Sequence, residues 1–180
     1  MVENLTTDEV NIMIKFLKVR DVKDPIRDVN ENAGVDFFIP EKSDSLIEAI
    51  VAFNPNITFS DNSIIIPPHE DVKIPAGIKS VFDKNIAFIA ANKSGVATKN
   101  KLIFGAQVID SSYQGEWNIH LINWSKQEQR IEFGKKIIQF IPTIISNEEH
   151  TVEDLLFTTE EEFFPEKTNR GTGGFGSTGV

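Results

Sequence analysis

Apolar residues fall along this chain in short runs bounded by turn formers, and hardly anywhere at helical spacing. Ile12–Val19 is rich in strand formers and predicts the first strand. Asp21–Glu31 is charged, contains Pro25 and predicts a loop. Ala33–Ile39 predicts a second strand, with Ala33-Gly34 permitting close backbone approach. Ile64–Pro68 and Val72–Ile78 read as short strands whose prolines suit edges and turns. Ile86–Ala91 is a buried strand, and Lys93–Ala97 a turn or helix start. Leu102–Ile109, Asn118–Trp124, Gln129–Phe133 and Lys136–Ile145 supply the remaining strands, with Gly134 between the last two. Ser45–Phe53 allows a short helix of poor period, broken by Asn54-Pro55-Asn56, so residues 41–63 read as an insertion carrying its own small element. About ten short strands without a long amphipathic helix predict an all-β sandwich or barrel.

Beyond Ile145 the composition changes. Residues 147–166 hold eight acidic residues and predict an extended arm, long enough to reach another subunit. From Arg170 the chain has five glycines in ten residues, too little to pack alone, and is expected to be mobile without a ligand. The expected organisation is an extension over 1–12, a barrel domain over 13–146, an acidic linker arm over 147–169 and a Gly-rich lid over 170–180.

Composition narrows the function classes. The chain has 180 residues, enough for one domain with a substantial core. A net charge of −9 argues against a general nucleic-acid binder, yet leaves room for one nucleotide held by a few local cations and backbone N–H groups. The absence of cysteine excludes disulfides and thiolate metal sites. No apolar stretch approaches a membrane span, and Met1–Asn4 shows no basic region followed by an apolar run. A cytoplasmic protein is expected, in the host cytoplasm if the source is viral. His69, His120 and His150 stand too far apart for metal-ligand spacing and read as surface or core residues.

Three stretches carry candidate chemistry. In Gly105–Gly115 a strand ending at Ile109 delivers Asp110 to a tight turn, where the backbone holds the carboxylate in place for general-base work. Tyr113 adds a rigid wall with a polar tip. A hairpin with a capping Asp reads equally well from these residues alone. Lys93-Ser94-Gly95 offers a cation, a hydroxyl and a bare backbone. In the tail, successive glycines can wrap phosphate oxygens, Arg170 supplies a donor fork, and Phe175 can stack on a flat ligand. Asp36, inside an apolar strand, is costly unless paired. It is either a satisfied strand residue or part of a phosphate or metal site. A Walker loop and a dinucleotide-binding glycine pattern are both absent.

In this order, these blocks resemble the trimeric dUTPases. Ala33-Gly34-Val35-Asp36-Phe37 resembles the family's first motif and Lys93-Ser94-Gly95 its second. Gly105–Gly115 resembles the third, Gly134-Lys135-Lys136-Ile137-Ile138-Gln139 the fourth and Arg170–Gly179 the fifth. The resemblance implies a jelly-roll-like distorted β-barrel, a homotrimer with active sites at subunit interfaces, and Mg²⁺-assisted hydrolysis of dUTP to dUMP and pyrophosphate. Such an activity keeps uracil out of DNA. It implies that Asp110 activates the attacking water and that the Tyr113 ring leaves no room for a 2′-hydroxyl. Backbone groups of Gln107, Val108 and Ile109, with Asn118, would read the uracil edge. Lys93, Ser94, Gly95 and Gln139 would hold phosphates across the interface. Phe175 would stack on the base, while Arg170, Gly176 and Ser177 cover the phosphates. Asp36 would act structurally or, through water, near the metal.

The chain departs from the family pattern at Lys93 and Lys136, where arginine is usual; lysine keeps the charge and loses the bidentate fork. Gln107 replaces a small residue in the base-reading strand. Two alternatives remain on this reading. A dCTP deaminase-like or bifunctional relative would need a suitably placed Glu in the third block, which Ser111-Ser112 do not supply. A nucleotide-gated partner binder would use residues 41–63, although tolerated surface loops are the expectation there.

Overall fold

The longest strand sets the frame. Lys136–Ile144 (β12) buries Ile137, Ile138 and Phe140, and it pairs antiparallel with a strand on each edge. The structure is a computed structural model that describes residues 13–27 and 32–145. The expected N-terminal extension, acidic arm and Gly-rich lid lie outside those residues.

Along the chain follow Ile14–Lys18 (β1), Val35–Phe38 (β2), Asp44–Phe53 (α1), Thr58–Phe59 (β3), Ser63–Ile66 (β4), Asp71–Pro75 (β5), Ile78–Phe82 (β6) and Ile86–Asn92 (β7). A five-residue π-helical turn, Val96–Asn100, leads into Leu102–Phe104 (β8) and Val108–Ile109 (β9). Asn118–Asn123 (β10), Gln129–Glu132 (β11) and β12 complete the order. Four small antiparallel sheets result: β1-β6, β5-β10-β8, β11-β4-β3 and β2-β12-β7-β9. Their inner faces share one apolar core, and the all-β, jelly-roll-like expectation holds.

Trp117 is the centre of that core, fully buried just before β10. Its ring stacks on Phe37 at 5.0 Å and meets Phe140, Phe88, Phe16 and Phe82 at 4.9 to 6.4 Å in steep, edge-type geometries. The indole N–H donates to Ser80 Oγ at 3.0 Å, which satisfies the one polar atom buried with it. Phenylalanines from five strands are thereby gathered around one side chain.

Two expectations are corrected. Leu102–Ile109 is two strands, because the chain leaves the β5-β10-β8 sheet after Phe104 and joins β7 at Val108. Residues 41–63 do not lie as a surface loop. The Ser43 hydroxyl caps α1 by accepting the Leu46 N–H, and Leu46 and Ile50, one turn apart, are fully buried against β5 and the common core. The sequence period of α1 looks poor because Val51 and Phe53 are partly exposed at its end.

Ile50→Ala should therefore cost about 2–4 kcal/mol, whereas Val51→Ser should stay within about 0.5 kcal/mol. Denaturant unfolding of the two variants checks this. Equal, small losses would return the segment to the surface.

Candidate functional site

Asp36 sits on β2, opposite Gln139 of β12, and its backbone bridges to Ile26. The side chain is 5% exposed. Lys93, just after β7, donates to Oδ1 at 2.5 Å, and Lys136, at the start of β12, donates to Oδ2 at 2.8 Å. Burial alone would raise the Asp36 pKa. The hydrogen bonds from Lys136 and Lys93, and their charges, outweigh it and hold the carboxyl below its ordinary value of 3.8. The two positions with lysine in place of the family's usual arginine thus converge on one carboxylate.

The pairing braces a cleft of about 420 Å³ lined by Lys93, Ser94, Gly95, Lys99, Asn100 and Gln139, among others. Ser94 and Gly95 are exposed, and the turn they begin is closed by Ala97 N–H donating to the Lys93 carbonyl. Lys99 and Asn100 escaped the sequence reading. They reach the cleft because the π-helical turn brings them back over it, a geometry that no local pattern signals.

The second group lies along β9 and the turn after it. Gln107 and Val108 are exposed, Ile109 is half-buried and Asp110 is exposed. Among the described residues no hydrogen bond engages the Asp110 carboxylate; its backbone carbonyl accepts the Tyr113 N–H. The Tyr113 hydroxyl donates to the Glu116 carbonyl at 2.9 Å, as does Asn118 Nδ2 at 3.0 Å. The ring is folded over Gly115, where a Cβ would lie 2.4 Å from it. Glu116 is the brace that the sequence reading missed. Its carboxylate takes Arg20 through Nε and Nη2 and the Gly77 N–H at 2.8 Å.

The cleft and Asp110 do not share one cavity. Ile109 pairs with Phe88, so Asp110 lies beside the beginning of β7, while Lys93 follows its end. Six residues of strand separate them, about 20 Å. Arg170, Phe175, Gly176 and Ser177 lie outside the described residues.

Asp36→Asn leaves two lysines facing a neutral amide. Because both lysines keep contact with water, the loss should be about 2–4 kcal/mol rather than the full cost of a broken buried pair. The folded pKa lies below the unfolded one, so this stabilisation is complete above the ordinary carboxylate range and is lost as pH falls through the folded value. The stability gap between the parent and Asp36→Asn should be flat near neutrality and narrow below about pH 4 in denaturant titrations.

The family model for dUTPase matches residues 58–179. The deoxyuridine 5′-triphosphate nucleotidohydrolase of Wolbachia pipientis subsp. Culex pipiens is 34% identical over 121 residues, covering 66% of this chain and 74% of that protein. Among solved structures, the dUTPase of Staphylococcus bacteriophage 80alpha with dUPNHPP is similar at a TM-score of 0.66 and 20% identity, over 93% of this chain and 99% of that one. A mutant dUTPase from phage phi11 of S. aureus, whose structure concerns coordination of a structural Mg(II) ion, is similar at a TM-score of 0.59 and 17% identity, over 77% and 95%. On the extent of these matches, the chain belongs to the dUTPase family.

Proposed function

We propose that this chain hydrolyses dUTP to dUMP and pyrophosphate at sites shared between copies of itself in a homotrimer. The supporting observation is the separation along β7. A carboxylate open to water and a cationic, hydroxyl-lined cleft stand about 20 Å apart in one chain. They can serve one nucleotide only if Asp110 of one subunit faces the cleft of the next.

In that arrangement backbone groups of Gln107–Ile109 and the Asn118 amide read the uracil edge, and Tyr113 packs on the deoxyribose. Lys93, Ser94, Gly95 and Gln139 of the neighbouring subunit hold the phosphates, joined by Lys99. Asp110 accepts a proton from water as the water oxygen bonds to the α-phosphorus; the bond from that phosphorus to the bridging oxygen breaks, and pyrophosphate leaves. Closure of the tail, with Phe175 on the base and Arg170, Gly176 and Ser177 over the phosphates, would exclude water and strengthen these contacts.

Mg²⁺ would neutralise triphosphate charge. Among the described residues no three carboxylates or histidines cluster, and both Asp36 oxygens already accept from lysines. The donor set therefore suits an ion chelated by the nucleotide's phosphates and water, with Asp36 bracing the cleft rather than ligating. The deaminase alternative loses ground because Glu116, the glutamate that follows the turn, is taken up by Arg20 and Gly77. The partner-binding alternative has the exposure of Val51 and Phe53 in its favour, yet Phe53 is already engaged with His120.

With Mg²⁺, pyrophosphate release should be fast from dUTP and slow from dCTP, dTTP and UTP. Asp110→Asn should lower kcat by about 10²–10⁴-fold. No release from dUTP by a folded trimer would overturn the reading. Gly115→Ala should push the Tyr113 ring aside and raise UTP turnover relative to dUTP; an unchanged ratio would remove Tyr113 from sugar discrimination.

Shared sites make a further prediction. Asp110→Asn and Ser94→Glu, each expected to be strongly impaired alone, should regain partial activity when co-expressed, because mixed trimers contain some sites with both residues intact. Sites complete within one chain would give no recovery.

A further inference from the structure

His120 is half-buried in the middle of β10. Its Nδ1 accepts the Ala106 N–H at 2.9 Å, and its Nε2 lies 2.8 Å from Asp71 Oδ2 on β5. A nitrogen that accepts an amide N–H carries no hydrogen, so the ring hydrogen is on Nε2 and is donated to Asp71. The ring edge meets Phe53, the last residue of α1, at 5.9 Å, and Lys73 lies over the Phe53 ring at 5.1 Å. The imidazole is thus fixed on two sides before it touches the crossover Gly105–Gln107.

That crossover carries the chain from the β5-β10-β8 sheet to β7. It is held at its ends by backbone, with Gly105 N–H on the His120 carbonyl and the Gln107 carbonyl on Ala90 N–H. Between these ties, the Ala106 N–H goes to the imidazole. Gly105 bears no side chain where a Cβ would lie 2.0 Å from Nδ1. The glycine that opens the third motif therefore makes room for His120. β9 is only two residues long and cannot set its own position against β7 by pairing alone.

We infer that His120 is a positioning residue for base recognition: by anchoring Ala106 it sets the pose of the Gln107–Ile109 backbone that meets the uracil edge. The inference rests on the proposed reading of that strand. Asp110 lies downstream of the Ile109–Phe88 pair and has its own tie to Tyr113. Losing the anchor should therefore weaken nucleotide binding more than it slows the chemical step.

Three substitutions separate the functions of the ring. His120→Asn keeps an acceptor near the Nδ1 position, His120→Gln keeps the reach to Asp71, and His120→Val keeps neither. The prediction is that His120→Val and His120→Gln raise KM for dUTP, and Kd for α,β-imido-dUTP, about tenfold, with kcat within about threefold. His120→Asn should restore both constants to within about threefold of the parent. Melting temperature and amide exchange at Ala106 accompany the kinetics. A purely structural role would lower the melting temperature in all three variants and leave KM unmoved, which overturns the inference. Equal Ala106 protection in His120→Val and His120→Asn also overturns it. A parent that releases no pyrophosphate from dUTP overturns the functional reading and this inference together; an active parent with an unmoved His120→Val overturns this inference alone.

Discussion

The arrangement of this protein depends on where Trp117 is buried. Its ring is the common neighbour of phenylalanines from β1, β2, β6, β7 and β12, and its backbone ends the turn that begins at Asp110. Trp117 N–H donates to Ile78 and its carbonyl accepts from Ala76, so the backbone is pinned at the same point as the ring. A turn of polar residues gains little from burial and cannot hold its own shape. Here it inherits one from the adjoining aromatic cluster, whose close packing tolerates little displacement.

The same turn is tied to α1. Arg20 takes the Glu116 carboxylate with two nitrogens and reaches Ser45 Oγ with the third. Phe53, at the other end of the helix, covers His120. Residues 41–63 therefore brace both ends of the third motif, Gly105 through His120 and Gly115 through Glu116. Their apolar contribution, Leu46 and Ile50, belongs to the main core. The segment is part of what holds the turn and the crossover in place.

At the cleft beside Lys93 the organising charge is buried and negative. Asp36 draws in two lysines that would otherwise repel each other across the cleft wall. Arginine in either place would offer a planar fork and could serve the carboxylate and a phosphate at once. A lysine is a point charge with rotatable donors and a readily hydrated head. The Lys93 and Lys136 ammoniums remain partly exposed beside the cleft, so their fields still favour an anion there while Asp36 holds them in place.

The sequence by itself determined the strand content, the turn at Asp110, the need for a partner at Asp36 and the order of the motifs, because strand alternation, turn chemistry and the cost of a buried charge are local properties. It could not find the break at Gly105. The run from Leu102 to Ile109 is apolar but for Gln107, and only His120, fifteen residues beyond Gly105, reveals why a glycine stands there. The sequence allowed a helix over Ser45–Phe53 but could not place that helix in the core, nor assign Glu116 or Lys99, because their partners are distant in the chain. The tertiary structure alone decided that Asp110 and the cleft lie at opposite ends of β7. Antiparallel pairing converts sequence order into position along a strand, and register, which sets which end a residue reaches, depends on the whole core.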